Sequence, residues 1–265
     1  MPFTLAHPAA VLPLRRMGLL RAVPLVIGAM VPDTQYFLPW RITKHLPEVA
    51  QPYFGSHTFF GTFTFDLPVA LSVLFLLWLL RAPLAAPLGA RGAAKCRIAL
   101  ERFGSRPLNW ALAPLSILIG AWTHLAWDSF THPQGWLVSR VSALSAPVSF
   151  FGYTGELCHV LQYVSSVFGL AVLAIWFLRL PAPSTRGGDA ERSAGGPVLL
   201  VLLLAAAALV AGFETMEHLV RDNPARYHIF YLLLTRCVAW FALLYTVTGI
   251  FIVRGRRRAA ASAPG

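Results

Sequence analysis

Long apolar runs separated by short charged segments limit the kind of structure that this chain can form. A helix needs about twenty apolar residues to cross the hydrocarbon core of a bilayer. Only 12% of the residues are charged, against roughly a quarter in a soluble domain. The sequence therefore predicts an all-α, polytopic transmembrane helix bundle with five full spans, namely Phe59–Leu80, Leu108–Phe130, Val160–Leu180, Val198–Phe213 and Ile229–Val253.

Two shorter apolar stretches precede these spans. They are Pro2–Leu14 and Leu19–Trp40, and the turn between them holds Arg15, Arg16 and Arg21. Because the first stretch is too short to cross a bilayer, we expect an N-terminal helical hairpin that is partly re-entrant.

A stretch rich in Gly, Ser and Pro divides the predicted bundle. Residues 181–197 have mixed charge, so we expect a flexible cytoplasmic loop there. This loop would separate residues 1–180, which hold the hairpin and three spans, from residues 198–265, which hold two spans and a basic tail.

Basic residues lie on one side of the predicted spans, and the histidines and most acidic residues lie on the other. Ala82–Pro107 carries five basic residues and one acid, and the tail Arg254–Arg258 is strongly basic. Cytoplasmic loops of membrane proteins are enriched in Lys and Arg. We therefore expect a multi-pass membrane protein with a cytoplasmic C-terminus. The same rule accounts for the net charge of +11, so nucleic-acid binding is not expected.

The strongest local signal for chemistry is Thr123-His124-Leu-Ala-Trp-Asp128, which is followed by His132. His124 and Asp128 are four residues apart and so share one face of a helix. There an imidazole nitrogen and a carboxylate oxygen can ligate one divalent cation. The alternative is a His–Asp hydrogen bond that only stabilises the end of the helix. Ionisable groups inside a bilayer are costly and usually face a functional cavity, which favours a metal site.

Further polar residues are expected at a similar depth, toward the external face. At ~1.5 Å of helix rise per residue, His7, Asp33, Asp66 and His124 lie ~12 to ~27 Å above their nearest cytoplasmic arginines. His57 precedes Asp66 by nine residues. We expect these residues to converge with His124, although a lone histidine bonded to a neighbouring carbonyl is the alternative for His7.

One arginine lies within a predicted span. Arg236 is seven residues beyond Ile229, and a cation at such a position needs a counter-charge. Asp66, Glu214 or an anionic substrate are the groups that would supply it.

Several motifs together resemble a known family. They are MPFTLAHPAAVLPL at the start, Val31-Pro-Asp33, Ser56-His-Thr58 and THLAWDSFTHPQGW at Thr123–Trp136. The chain resembles an uncharacterised bacterial multi-pass membrane family, of the domain of unknown function 4184 type, which is similar to inner-membrane proteins regarded as metal-dependent hydrolases. The resemblance implies a metal site formed by His7, Asp33, His57, His124 and Asp128. The chain departs from the pattern at Tyr163, where the resemblance leads us to expect histidine.

These observations predict metal-dependent hydrolysis at the membrane. Histidine and carboxylate ligands without a thiolate suit Zn²⁺ or Mn²⁺. Asp66 or His132 would serve as general base, and Arg236 would hold an anionic group. A site near the outer leaflet favours a lipid or isoprenoid-phosphate substrate, because membrane lipids can reach it laterally.

Two other classes of function are compatible with the same residues. The first is a non-catalytic membrane scaffold or partner subunit whose histidines and aspartates only fix the packing of helices. The second is a transporter or ion pathway, since intramembrane acids and histidines also build proton relays. The polar residues occupy only one half of the predicted membrane region, which argues against a continuous pathway.

The alternation of charged segments predicts the location of the C-terminus. A reporter fused after Gly265 and active only in the cytoplasm is expected to be active, because the preceding basic tail belongs to the cytoplasmic set. A silent reporter, with full-length fusion protein in the membrane, would invert the predicted topology.

Overall fold

Helices account for most of the chain described by the structure, which is a computed structural model. The described residues are 4–37, 55–150, 152–180, 196–222 and 226–262. They form two compact units, the first made of Met1–Thr34, Pro47–Phe75 and Phe103–Leu180, and the second of Gln35–Leu46, Leu76–Arg102 and Pro181–Gly265. The predicted division at the loop of residues 181–197 stays a prediction, since residues 181–195 lie outside the described ranges.

The apolar helices indicate a membrane protein. Four helices are long and apolar enough to cross a membrane, and they coincide with four of the five predicted spans: Thr62–Leu79, Leu157–Arg179, Gly196–Glu217 and Leu232–Ala259. The remaining predicted span, Leu108–Phe130, is divided between helices Pro107–Ala111 and Ala113–Thr131. The second of these carries His124 and Asp128, which lower its hydropathy. The chain is therefore largely helical as predicted, but the number of five spans is not confirmed.

The N-terminal region forms short helical turns. Proline lacks a backbone N–H and interrupts a continuous helix, and Pro8, Pro13 and Pro32 each stand at or beside the start of a new turn. The turns are a 3₁₀ helix at Thr4–Ala6, α1 at Pro8–Val11, a 3₁₀ helix at Leu14–Arg16, α2 at Ala22–Gly28 and a 3₁₀ helix at Val31–Phe37. The depth of this region in a bilayer, and hence its re-entrant character, stays a prediction.

The span Thr62–Leu79 begins with a π-helical turn. Thr62–Asp66 is π-helical and continues into α3, Leu67–Leu79. The indole N–H of Trp122 donates to the hydroxyl of Thr62 over 3.1 Å. π-helical turns are rare and frequently occur at functional sites, and here the turn ends on a fully buried aspartate, Asp66.

The first unit is organised by the contact between α2 and a long helix. After α4 (Arg81–Ala85), α5 (Ala90–Gly104) and α6 (Pro107–Ala111) comes α7, Ala113–Thr131. Gly28 of α2 lies against the carbonyl group of Ile117, and Gly120 of α7 lies against the backbone of Leu25 and Ala29. A Cβ atom at either glycine would collide with the opposing backbone. These two glycines therefore allow the two helices to approach at backbone distance.

The start of α2 is hydrogen-bonded to α6 and to the first turns of α7. The Arg21 guanidinium donates from Nε to Asn109 Oδ1 over 2.5 Å, and the Arg21 backbone N–H donates to Ser116 Oγ over 2.9 Å. Next to this anchor lies a buried apolar core formed by Val11, Leu20, Leu25 and Ala29.

A short β-hairpin follows α7, between the predicted spans Leu108–Phe130 and Val160–Leu180. Strand β1, Pro147–Phe150, pairs antiparallel with β2, Tyr153–Glu156. Gly152 in the connection has a φ of 82°, a conformation that glycine adopts without strain. The hairpin leads directly into α8, Leu157–Arg179, which belongs to the first unit.

The second unit contains two long helices, α9 (Gly196–Asp222) and α10 (Arg226–Ala261), and the short helix α4. The indole N–H of Trp240 donates to Glu214 over 3.1 Å. The hydroxyl of Tyr245 donates to the carbonyl of Leu84, and Gly249 lies against the backbone of Pro83. Hydrogen bonds of polar residues and the close approach at Gly249 therefore determine which segments pack against α10.

The glycine contact between α2 and α7 predicts a large effect from a small substitution. Gly120→Ala is expected to lower the free energy of unfolding by roughly 1–3 kcal/mol, because the added methyl group meets backbone that cannot move aside. The measurement is the thermal midpoint of purified protein in detergent. The matched control is Gly212→Ala in α9, where nothing lies within 4 Å of the added atom. Equal midpoints for the two variants would contradict this account of the packing.

Candidate metal centre

Four side chains of the first unit converge on one point. Each of Asp33, His57, His124 and Asp128 offers one ligand atom, and these atoms all lie within 4.8 Å of one another. We refer to these four residues as the His/Asp cluster. Asp33 comes from the 3₁₀ helix after α2, His57 from the segment before the π-helical turn, and the other two from one face of α7. The cluster can hold a metal ion.

The backbone at the end of α2 fixes the orientation of His124. Nδ1 of His124 lies 2.9 Å from the carbonyl oxygen of Ala29, and because a carbonyl only accepts, Nδ1 carries the hydrogen. In the neutral ring, Nε2 then has a lone pair and lies 3.2 Å from Asp128 Oδ2 and 3.6 Å from Asp33 Oδ1. A lone pair that faces two carboxylate oxygens is repelled by them unless a proton or a cation lies between.

The carboxylate of Asp33 is held by a neighbouring hydroxyl. Thr4 donates from Oγ1 to Asp33 Oδ2 over 2.6 Å, and Asp33 is only 2% exposed. The other oxygen, Oδ1, lies 3.2 Å from Nε2 of His57. The Thr4 hydroxyl therefore leaves Oδ1 directed at the histidines of the cluster. Hydrogen bonds of this kind to ligating carboxylates are typical of metal sites.

Asp128 is the residue that contacts most members of the site. Its Oδ2 lies 3.2 Å from His124 Nε2 and 3.7 Å from His57 Nε2. Its Oδ1 lies 3.6 Å from His7 Nε2 and 3.3 Å from His132 Nδ1. The spacing of four residues between His124 and Asp128 produces the contact on α7 that the sequence predicts.

His57 forms the accessible side of the cluster. Its side chain is 32% exposed, whereas those of Asp33 and Asp128 are 3% and 14% exposed and that of His124 is fully buried. The hydroxyl of Ser56 lies 3.1 Å from His57 Nδ1, on the side of the ring away from Asp33. A small molecule can therefore approach the cluster along His57.

His7 lies against the cluster but outside its four members. Its ring stacks on that of His124, with 3.8 Å between centroids and an interplanar angle of 20°. Both ring nitrogens are buried, and neither makes a hydrogen bond with any described group. The predicted role of His7 as a ligand stays a prediction, while its proximity to His124 and Asp128 is observed.

His132 extends the site along α7. Besides its contact with Asp128, its Nε2 lies 3.3 Å from Nε2 of Gln162 on α8. Burial lowers the pKa of His132 below its usual value. The imidazole is therefore neutral at neutral pH and is able to accept a proton.

Asp66 is buried at the end of the π-helical turn. It is 0% exposed, and neither carboxylate oxygen makes a hydrogen bond within the described part of the chain. It is close enough to His57, His124 and Asp33 to interact electrostatically with each of them. The structure thus brings Asp66 near the cluster, and its predicted role as general base stays a prediction.

Arg236 belongs to the second unit. It is 8% exposed and donates from one terminal nitrogen to Thr215 Oγ1 over 3.4 Å. Glu214, one of the three counter-charges considered for it, accepts a hydrogen bond from Trp240 in the same unit. The predicted role of Arg236 in holding an anionic group stays a prediction.

The donor atoms of the site fit a divalent cation. Nε2 of His124 and Oδ1 of Asp128 are buried without a hydrogen bond to any described group, although they lie close to the other ligand atoms. Two carboxylates and two imidazoles are donor groups that divalent metal ions take in proteins.

Sequence reasoning missed the groups that support the ligands. Thr4 and the Ala29 carbonyl each hold one ligand, and Gln162 contacts His132. Of these three groups, Gln162 is the one that the sequence marks, because it is a polar residue inside an apolar span. A backbone carbonyl such as that of Ala29 carries no mark in the sequence.

Comparison with known proteins identifies the family of the chain. A family model described as a domain of unknown function (DUF4184) matches residues 1–252, so the chain belongs to this family. No curated protein and no solved structure matches the chain.

The hydrogen bond from Thr4 to Asp33 generates a prediction about affinity. Thr4→Val is expected to weaken binding of Zn²⁺ or Mn²⁺ roughly 10- to 100-fold, because loss of a group that orients a ligand has effects of this size. The matched control is Thr34→Val, since the Thr34 hydroxyl donates to the carbonyl of Val31 and not to Asp33. Isothermal titration of metal-depleted protein measures both. Equal affinities would show that Asp33 needs no such support.

Proposed function

We propose that this member of the DUF4184 family is a membrane-embedded, metal-dependent hydrolase whose His/Asp cluster holds Zn²⁺ or Mn²⁺. The observation that carries the proposal is the orientation of the His124 ring between the Ala29 carbonyl and the two carboxylates. Its Nδ1–H is bonded to the Ala29 carbonyl, so that Nε2 and the two carboxylates direct lone pairs at one point. In a simple structural His–Asp pair, Nε2 would face a single carboxylate, whereas Nε2 of His124 lies 3.2 Å from Asp128 and 3.6 Å from Asp33.

The residues around the cluster are suited to hydrolysis. A bound divalent cation would polarise a phosphoryl or acyl oxygen and make water a stronger acid. His57 leaves one side of the site open to substrate. His132 is neutral and lies beside Asp128, so it is suited to take a proton from water, and Asp66 is a second acceptor within electrostatic reach.

We propose a lipid or isoprenoid-phosphate substrate, with membrane lipids as the surroundings from which it is drawn. Phe59, Phe60 and Phe63 follow His57 closely in sequence and are 57%, 79% and 40% exposed. Such a surface beside the accessible histidine suits a substrate that arrives within the membrane and not from water.

We further propose the location as a bacterial inner membrane, with the C-terminus in the cytoplasm and the cluster toward the external face. The basic tail Arg254–Arg258 supports this orientation. If the protein is instead a scaffold whose cluster is only structural, no catalysis is expected.

The test is metal content followed by turnover. Protein purified in detergent without added metal is expected to contain near-stoichiometric zinc or manganese by elemental mass spectrometry. His124→Ala and Asp128→Ala are expected to lose it, because each removes a ligand whose partners cannot replace it. The metal-loaded protein is then assayed on phospholipids and isoprenoid phosphates, and turnover is expected to disappear in both variants.

The matched control is His159→Ala, a half-buried histidine at the start of α8 that is not part of the cluster. It is expected to keep both metal and activity. Absence of metal from well-folded wild-type protein would overturn the proposal. Bound metal with no turnover on any of these substrates would favour the structural alternative.

A further inference from the structure

An apolar cavity lies beside the His/Asp cluster in the first unit. It is lined by residues of the N-terminal turns, α7 and α8 and has a volume of about 160 Å³. A protein cavity of about 150 Å³ lined by apolar side chains accepts a benzene-sized hydrocarbon. The cavity therefore has room for a segment of one hydrocarbon chain, but not for two chains side by side.

Small residues and one tryptophan, whose indole N–H already has a hydrogen-bond partner, line the cavity. Ala9 and Ala10 on α1 and Gly169 on α8 line the cavity, and a Cβ added at Gly169 would lie 2.9 Å from the carbonyl oxygen of Ala6. Trp127 forms another wall, and its indole N–H is already bonded to Ser165 Oγ over 3.2 Å. A ligand in the cavity would contact carbon atoms at these positions.

The cavity opens at an apolar surface. Phe168, one of its lining residues, is 65% exposed, and Val164 and Val167 beside it are 60% and 71% exposed. All three belong to the helix Leu157–Arg179, which is long and apolar enough to cross a membrane. A hydrocarbon chain can therefore enter the cavity from the lipid without crossing water.

His7 both lines the cavity and contacts the His/Asp cluster. Its side chain is 1% exposed, its ring stacks on that of His124, and its Nε2 lies 3.6 Å from Asp128 Oδ1. Neither ring nitrogen makes a hydrogen bond with any group in the described part of the chain. An unsatisfied buried nitrogen is costly, so the ligand that suits this cavity carries a polar atom at the end that meets His7.

We propose that this cavity binds the hydrocarbon chain of a single-chain amphiphile whose phosphate or ester head lies at the His/Asp cluster. The inference rests on the proposed function and specifies its substrate class: one chain enters between α1 and α8, and His7 contacts the atoms that join chain and head. Double-chain lipids would place only one of their chains here.

The experiment is photolabelling of the purified full-length protein in detergent. The probe is dodecyl phosphate with a diazirine on one of the first carbons after the phosphate, in the segment that the cavity can hold, and labelled peptides are mapped by mass spectrometry. Labelling is expected to concentrate on α1 and on the lining residues of α8, and to be competed by unlabelled dodecyl phosphate.

A cavity-filling variant makes the test specific. Ala10→Phe is expected to reduce this labelling about tenfold, because the ring takes the space of at least two methylene groups. Leu170→Phe, on an exposed face of α8, is the matched control and is expected to label like the wild type. If Ala10→Phe does not fold, Ala9→Phe fills the same cavity from the next position of α1.

Three results would decide against the inference. They are labelling spread evenly over the exposed faces of α8 and α9, equal labelling by dodecane with the same diazirine, and undiminished labelling of the folded cavity-filling variant. Because the readout needs no turnover, it separates the two proposals. Cavity labelling of a protein that holds no metal would support the chain site and overturn the hydrolase, and a metal-bound protein without cavity labelling would overturn the chain site alone.

Discussion

The hydrogen bond from the His124 ring to the carbonyl of Ala29 links the packing of the first unit to its chemistry. The bond forms only because α2 and α7 approach at backbone distance, which Gly28 and Gly120 permit. The same bond selects the tautomer in which Nε2 is available to a cation. A change that separates the two helices therefore alters the protonation of a candidate ligand as well as the stability of the core.

The rest of the site consists of polar groups that are expensive to bury in a membrane protein. Hydrogen bonds reduce this cost, such as the one from the Thr4 hydroxyl to Asp33. The ligand atoms of the His/Asp cluster also lie within 4.8 Å of one another, where one cation could contact them all. Asp66 and His7 keep polar atoms without hydrogen bonds to described groups. These two residues border the cluster and the apolar cavity, respectively, which is where an incoming ion or substrate would satisfy them.

Hydropathy and residue spacing predict part of this structure for definite reasons. A long apolar run must satisfy its own backbone, so four spans and the helical character could be predicted from composition. The spacing of His124 and Asp128 predicts their contact because a helix repeats every 3.6 residues. Asp33 and His57 were expected near them from a similar depth in the membrane and from the family resemblance, since local periodicity carries no information on contacts between distant segments. The hairpin at residues 147–156 and the π-helical turn depend on tertiary packing, and neither left a local pattern.

The cluster also constrains the order in which the protein can assemble. Asp33 lies on a short 3₁₀ turn near the start of the chain, whereas Asp128 lies 95 residues later. No local contact within the first 34 residues can complete the cluster, so the N-terminal turns must wait for α7 to be synthesised and inserted. A cation bound at that moment would connect the beginning of the chain to its middle. The supply of metal would then affect the folding and insertion of the protein as well as its finished structure.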